Sequence, residues 1–373
     1  MPAAFTRRRA AGSLDNRQLP ALTGVRFLLA IWVVFHHLTG RHMMLENWAA
    51  SLPNSLHEVI RGGYLAVGTF FVLSGFVLAR SYGPIAWNRK NLIRYGVGRF
   101  ARVYPAYLLS LLIVTPFIVT FLSNPARPST AEKASVLTSY VFVLQGWAER
   151  ATVHWNTPAW SLSCEFFFYL CFPLLAFFLR KKSGITMATA LVAAVALPLL
   201  LARLGVPDYW KPLTHMADFL LGIGAAGVYE RVSRSGSRMA RRGWWLYGPA
   251  AASGAILVAF PELVTGWTTL TAALRPMNAA LVIGLGLGGG LPVRLLSTRI
   301  ASTLGNASYS LYILHVPLLW WFSRYWWRPA GLMVAFSVAV YLIGVVIVST
   351  AVFRFVEGPA NRRIREWVGT RLH

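Results

Sequence analysis

Within the apolar stretch GVRFLLAIWVVFHHLTG, residues 24–40, stand one arginine and two adjacent histidines. Charged or titratable groups are costly inside a bilayer. Where they occur they face a protein interior or a water cavity, which makes them candidates for function. On a helix Arg26 and His37 lie three turns and a small remainder apart, so both project from one face, roughly 16 Å apart along the axis. His36 points about a quarter-turn away. Neutral imidazole is the natural general base near pH 7. The bland alternative is that both histidines only hydrogen-bond neighbouring helices, and the same-face arginine counts against it.

Three further groupings carry polar chemistry in apolar surroundings. In TPAWSLSCEFFFYLCFP, Ser161 and Glu165 stand at i, i+4 on one face. An unpaired carboxylate there takes up a proton or pairs with a base such as His or Arg. Asp218, in THMADFLLG, is a second acid in an apolar run, and an interhelical ion pair without chemistry is the alternative for both. Arg99 and Arg102 in GRFARVYP share a helix face as a ready phosphate clamp, because guanidinium binds phosphate oxygens bidentately. Topology alone also puts basic residues at a cytoplasmic helix end. In LGNASYSLYILHVPLL, Ser308, Tyr312 and His315 make a polar stripe flanked by Tyr309, which either lines a cavity or locks helices together.

The elements that must position these groups are membrane spans. Residues are 56% hydrophobic and only 13% charged, where a soluble domain carries about 25% charged. Spans of about 20 apolar residues fall at 22–40, 62–80, 103–122, 158–179, 184–203, 213–230, 244–261, 276–292, 303–323 and 330–353. The fold class expected is an all-α integral membrane protein, a bundle of about ten transmembrane helices. Most of the 36 lysines and arginines fall in alternate connections, which sets both termini in the cytoplasm and the protein in the plasma membrane. The domain reading is a basic leader over 1–21, without a signal-peptide cleavage pattern, a membrane domain over 22–353 and a basic tail over 354–373. The segment 134–147, ASVLTSYVFVLQGW, is too short to span easily and reads as an interfacial or re-entrant piece of an external loop.

Several classes are set aside. The net charge of +24 comes in short runs between apolar segments, not as one basic face, so no nucleic-acid partner is expected. Cys164 and Cys171, seven residues apart on a helix, are about 10 Å apart along the axis, too far for a disulfide, and no metal motif is present. HEVIR lacks the second histidine of a zinc-protease helix, and WSLSC is not a nucleophile elbow. GLGLGGG, residues 284–290, lies inside an expected span with no strand before it and reads as close helix packing through small residues.

Taken together, LPALTGVRFLLAIWVVFHH, GYLAVGTFFVLSGFVLAR, RFARVYPAYLL, TPAWSLSCEFFFYLCFPLL, LGNASYSLYILHVPL and FRFVEGPANRR resemble the successive signatures of the acyltransferase-3 family, in order, from about residue 19 to 365. The resemblance implies a membrane enzyme that moves acetyl or other acyl groups from acyl-CoA to hydroxyls on glycans, glycolipids or glycosylated metabolites. Acyl-CoA is then a co-substrate, with no permanently bound cofactor and no metal. The family's Arg followed by ten residues and a His matches Arg26 and His37, and its Arg-x-x-Arg pair matches Arg99 and Arg102. Its Trp-Ser-Leu-Ser-x-Glu stretch matches Trp160 to Glu165, and its Ser-Tyr-Ser-Leu-Tyr-x-x-His stretch matches Ser308 to His315. The Asp-Gly that usually precedes the first arginine is missing, and so is the extracytoplasmic hydrolase-like domain that many relatives carry.

On this reading His37 is the base, and Glu165 orients it or holds the acceptor. Arg26, Arg99 and Arg102 hold the donor's phosphates or pantetheine arm. Ser161, Tyr309, Tyr312 and His315 serve the acceptor or the oxyanion. The alternative is a transporter or flippase for a glycan or lipid-linked sugar, because buried His, Glu and Arg also serve proton relays.

Overall fold

An apolar run of twenty residues in lipid must satisfy its backbone internally, and the helix does this within one segment. In the computed structural model, helices occupy all ten expected segments: α1 (Pro20–Leu38), α2 (Ala66–Tyr82), α3 (Arg89–Ser123), α4 (Trp160–Phe178), α5 (Ser183–Arg203), α6 (Met216–Arg234), α7 (Trp244–Ala259), α8 (Gly266–Leu287), α9 (Ser308–Tyr325) and α10 (Leu332–Val352). A π-helical turn, Phe353–Glu357, joins α10 to α11 (Gly358–Arg371). The structure describes residues 19–41, 43–83, 88–123, 129–148, 155–178, 183–207, 209–236, 242–264, 266–326 and 332–371, and among them there is no strand. Residues 1–18 of the leader and the basic run 180–182 lie outside the described residues.

Among the described residues, six stretches are long and apolar enough to cross a membrane: Pro20–Leu38, Asn54–Tyr82, Arg89–Thr120, Thr157–Phe177, Thr269–Leu287 and Met333–Arg371. The chain is a multi-pass membrane protein. Among the remaining long helices, α7 has only 16 residues, and α6 carries Asp218, Glu230, Arg231 and Arg234.

Three apolar clusters meet around α9. Its Tyr312 belongs to the large cluster to which α1 through α8 all contribute. Ile313 and Leu314 pack with α3, α4 and the helix Thr130–Val141, whereas Leu311 and Leu319 pack with α1 and α10. The helix that bears the polar stripe is therefore gripped from three sides.

The segment 134–147 is folded back into the bundle. The helix Thr130–Val141 ends in a turn through Val143 at φ 58°, a conformation costing a β-branched residue on the order of 1–3 kcal/mol. Buried hydrogen bonds hold it there. Tyr107 donates to the Tyr140 carbonyl (2.6 Å), Gln145 Nε2 to the Ala159 carbonyl (2.5 Å) and the Gly146 amide to Ser163 Oγ (3.0 Å). Asn156, just before α4, donates from Nδ2 to Ser110 Oγ (2.9 Å) and to the Ile313 carbonyl (3.0 Å). The buried Gln145 and Asn156 thereby place their amide groups on backbone carbonyls of the bundle.

One expected boundary is corrected. The eighth span does not reach residue 292: α8 ends at Leu287, and Gly288, Gly289 and Gly290 take φ of 88°, 92° and 80°. Only glycine adopts that backbone readily, so the end of GLGLGGG is a helix terminus. Gly284 does pack closely, its Cβ direction blocked by Tyr247 and Gly243 backbone.

α2 crosses α6 in close backbone contact. A Cβ at Gly222 would meet the Val72 carbonyl and the Phe76 amide, and a Cβ at Gly75 would meet the Phe219 carbonyl. Backbone atoms cannot move aside as a side-chain tip can, so overpacking here costs at least about 1–3 kcal/mol. Gly222→Leu should lower the thermal midpoint of detergent-solubilised protein, read by size-exclusion fluorescence after heating. An unchanged midpoint would contradict this crossing.

Candidate active site

The hydrogen bonds around His37 decide which of its nitrogens is available. His315 Nδ1 lies 2.7 Å from the Tyr312 carbonyl. A carbonyl only accepts, so this nitrogen carries the proton and His315 Nε2 carries the lone pair. That Nε2 faces His37 Nδ1 at 3.2 Å, and His37 Nδ1 also lies 3.0 Å from the Val33 carbonyl. His37 Nδ1–H therefore donates to both, and its Nε2, which has no protein partner among the described residues, keeps a lone pair. Tyr341 fixes the relay from behind by donating to the His315 carbonyl at 2.8 Å. His36 turns the other way, with Nδ1 2.5 Å from the Arg61 carbonyl and its ring 5.1 Å from that of Tyr64.

Next to this pair lies a cavity of about 40 Å³ between α1, α2, α4 and α9. Arg26, Ser161, Glu165, Ser308, Tyr309 and Tyr312 supply its polar lining, and Phe70 and Phe71 close it. His37 is not in that lining. It is reached through Tyr312, whose ring is 6.0 Å from that of His315, which in turn is 4.8 Å from that of His37.

The hydroxyls in this cavity are not equivalent. Tyr309 donates to the Val103 carbonyl (2.8 Å), and Ser161 and Tyr312 both donate to the Pro158 carbonyl (2.9 and 3.3 Å). Ser308 Oγ, by contrast, is buried without a partner among the described residues. Glu165 accepts from Tyr169 (2.7 Å) and sits in the field of Arg26, Arg99 and Arg102.

The two arginines of α3 differ as well. Arg99 donates from Nη2 to Tyr82 (2.9 Å), lies over the Tyr82 and Tyr169 rings, and keeps an unpartnered Nε among the described residues. Arg102 is paired with the carboxylate of Glu357, which is fully buried and whose other oxygen accepts from Ser310 at 2.7 Å. The π-helical turn delivers Glu357 to that position, a use typical of π-turns at functional sites.

Glu357 does not stand within an apolar run, because it follows the tenth run in FRFVEGPANRR. The signal was Glu-Gly-Pro at a helix junction. Tyr169, one turn beyond Glu165, was legible as its i+4 partner. Asp218, the other acid singled out, is in a separate cluster: Arg275 Nε donates to its Oδ1 (3.1 Å) and His215 Nδ1 to its Oδ2 (3.0 Å).

The profile of the family described as an acyltransferase domain, Acyl_transf_3, matches residues 19–354. The chain belongs to this acyltransferase-3 family, and it is an acyltransferase. It is 29% identical to acyltransferase MdmB of Streptomyces mycarofaciens, over 84% of this chain and 81% of that one. It is 23% identical to the O-acetyltransferase OatA of Staphylococcus aureus, over 93% of this chain and 58% of OatA. The putative peptidoglycan O-acetyltransferase YrhL of Bacillus subtilis is also 23% identical, over 95% of this chain and 59% of YrhL. The chain thus spans less than two thirds of the latter two. No solved structure matches it.

Removing one partner of the buried pair leaves an uncompensated charge, which typically costs about 3–5 kcal/mol. Glu357→Ala should therefore sharply lower the thermal midpoint, and Arg102→Leu combined with Glu357→Leu should recover most of it. A Glu357→Ala protein as stable as wild type would show that the pair does not hold α3 to the π-turn.

Proposed function

We propose that this acyltransferase moves an acetyl or other short acyl group from acyl-CoA to a hydroxyl of a glycan, glycolipid or glycosylated metabolite, with His37 as general base. The observation that carries this reading is the His37–His315 hydrogen bond, which leaves His37 Nε2 as the unprotonated nitrogen. The bundle crosses the plasma membrane ten times with both termini in the cytoplasm, as the distribution of basic residues indicates. Acyl-CoA then enters from the side of Arg99, whose guanidinium binds its phosphates. Arg102 supports this mouth through Glu357 and is not itself the free cation of the pair.

His37 Nε2 accepts the proton of the acceptor hydroxyl as that oxygen attacks the thioester carbonyl. The carbonyl oxygen becomes an oxyanion, while Arg26, about three turns from His37 on α1, holds the donor's phosphate or pantetheine group. The intermediate collapses with cleavage of the carbon–sulfur bond, and the imidazolium returns its proton to the leaving thiolate. His315 Nε2 accepts from His37 Nδ1–H throughout and stabilises the positive charge on His37. Glu165 holds Arg26 by its charge and is itself anchored by Tyr169.

General-base catalysis contributes about 10²–10⁴-fold. In membranes supplied with acetyl-CoA labelled in the acyl group and a cell lysate as acceptor pool, His37→Ala should cut labelled product by that factor. Glu165→Gln should reduce it less. Wild-type transfer by a folded, membrane-inserted His37→Ala protein would refute the assignment.

A further inference from the structure

A second, much larger cavity, about 440 Å³, lies at the N-terminal ends of α2, α4 and α6. Its polar wall is formed by Lys211, His215, Asn278 and the buried Asp218 and Arg275, and its aromatic walls are Trp160 and Tyr64. The His215 ring lies 5.4 Å from Trp160 at 31°. Two links tie this cavity to the active site. Tyr64 is separated from His37 only by His36, through ring contacts of 5.1 and 5.0 Å. On its other side, Trp160 packs on Phe71, which lines the cavity of Arg26 and Glu165.

The ion pair in this wall is unusual for a purely structural one, because it borders open space. Asp218 offers roughly four lone-pair sites; Arg275 Nε and His215 Nδ1 use two of them. With its Nδ1–H committed to Asp218, His215 presents a lone pair on Nε2. Asn278 accepts from Thr69 through Oδ1 (3.0 Å), and its Nδ2 has no acceptor among the described residues. Acceptors, an amide donor and aromatic faces around one volume match a sugar ring, whose hydroxyl edges hydrogen-bond planar polar groups and whose C–H faces cover aromatic rings.

An apolar cavity of about 250 Å³ adjoins it and shares Leu65, Leu274 and Asn278 with it. Trp32, Val59, Ala250, Gly254 and Val258 line that second volume. A free polysaccharide has nothing to place there. Resting on the acyltransferase reading above, we infer that the acceptor is an amphiphilic glycoside, with its sugar among Asp218, His215 and Asn278 and its apolar aglycone or lipid tail in the adjoining cavity. The sugar hydroxyl that points past Tyr64 and His36 is the one delivered to His37.

The test uses the full chain in lipid nanodiscs and a diazirine-bearing β-glucoside as photolabel. Methyl, hexyl and 2-naphthyl β-glucosides serve as competitors. Labelling of peptides containing 211–218 or 271–278 is expected, with hexyl or naphthyl glucoside competing at least tenfold better than methyl. The hexyl arm reports a lipid-like tail and the naphthyl arm a rigid, metabolite-like aglycone. Asn278→Leu should weaken all three competitors. Gly254→Leu, whose Cβ meets only Leu274 at an ordinary 3.8 Å, should fill the apolar cavity and bring the hexyl-to-methyl ratio toward one; partition into the nanodisc lipid cancels in this comparison with wild type. Absence of competition by all three glucosides, labelling elsewhere, or a ratio unchanged in Gly254→Leu would each overturn the inference. Acetyl transfer from acetyl-CoA, followed on the same nanodiscs, separates the two readings. Transfer without competed labelling overturns only the acceptor site, whereas the expected labelling without transfer from any acyl-CoA overturns only the acyl-CoA mechanism.

Discussion

A guanidinium or carboxylate withdrawn from water into an apolar bundle is stable only when a partner replaces the lost solvent, and the interior of this protein is organised around meeting that demand. The Arg102–Glu357 pair is one instance, its carboxylate fully buried. It ties the middle of α3 to the π-turn after α10, and through Ser310 to the start of α9. Those three elements frame the mouth where Arg99 stands, so the pair sets the position of a group it does not touch. Arg26 and Glu165 answer the same demand differently. They interact across a cavity, which leaves the guanidinium face open to a substrate while its charge stays compensated. The contrast separates a cation committed to one carboxylate from one that lines a cavity.

Hydrogen-bond directionality does for the histidines what charge pairing does for the arginines. One carbonyl, that of Tyr312, sets the tautomer of His315, and His315 sets the tautomer of His37. Both rings are needed, because the Val33 carbonyl is the ordinary helical acceptor four residues back and by itself would leave the His37 ring loosely aimed. A neutral histidine in place of the more familiar carboxylate also suits the medium, since it adds no further charge to be desolvated.

Much of this was legible in the chain because the period of the pattern and the solvent were known in advance. Ten apolar runs became ten helices, and the same-face relation of Arg26 and His37 follows from 100° per residue. The convergence of Arg26, Glu165 and the α9 stripe was legible only as a resemblance; helical periodicity says which face a residue occupies, not which helix that face meets. Three features escaped for specific reasons. Glu357 follows its apolar run and needs a π-turn, one residue out of α-helical phase, to point inward. The hydroxyls of Tyr309 and Tyr312 are engaged by carbonyls of Val103 and Pro158, contacts far away in sequence. The end of α8 was drawn too far because Gly284–Gly290 is apolar enough to extend a span, although the positive φ of its last three glycines ends the helix.

The segment between α3 and α4 bears on the large cavity through Trp160, which opens α4 and lines that cavity. Ten parallel cylinders packed to protein density leave little room for a volume of 440 Å³. Here the chain between α3 and α4 folds back into the bundle, and Asn156 and Gln145 bury their amides on Ile313 and Ala159 carbonyls. Trp147 carries the contact outward, packing on Phe167 and on Trp210 beside the start of α6. Trp160 therefore opens α4 inside the protein, against His215, instead of at a lipid surface. A shorter connection between α3 and α4 would bring their ends together and close the space. The irregular backbone is thus the price of a polar chamber beside His37, and its hydrogen bonds are spent on carbonyls of the helices that carry the catalytic groups.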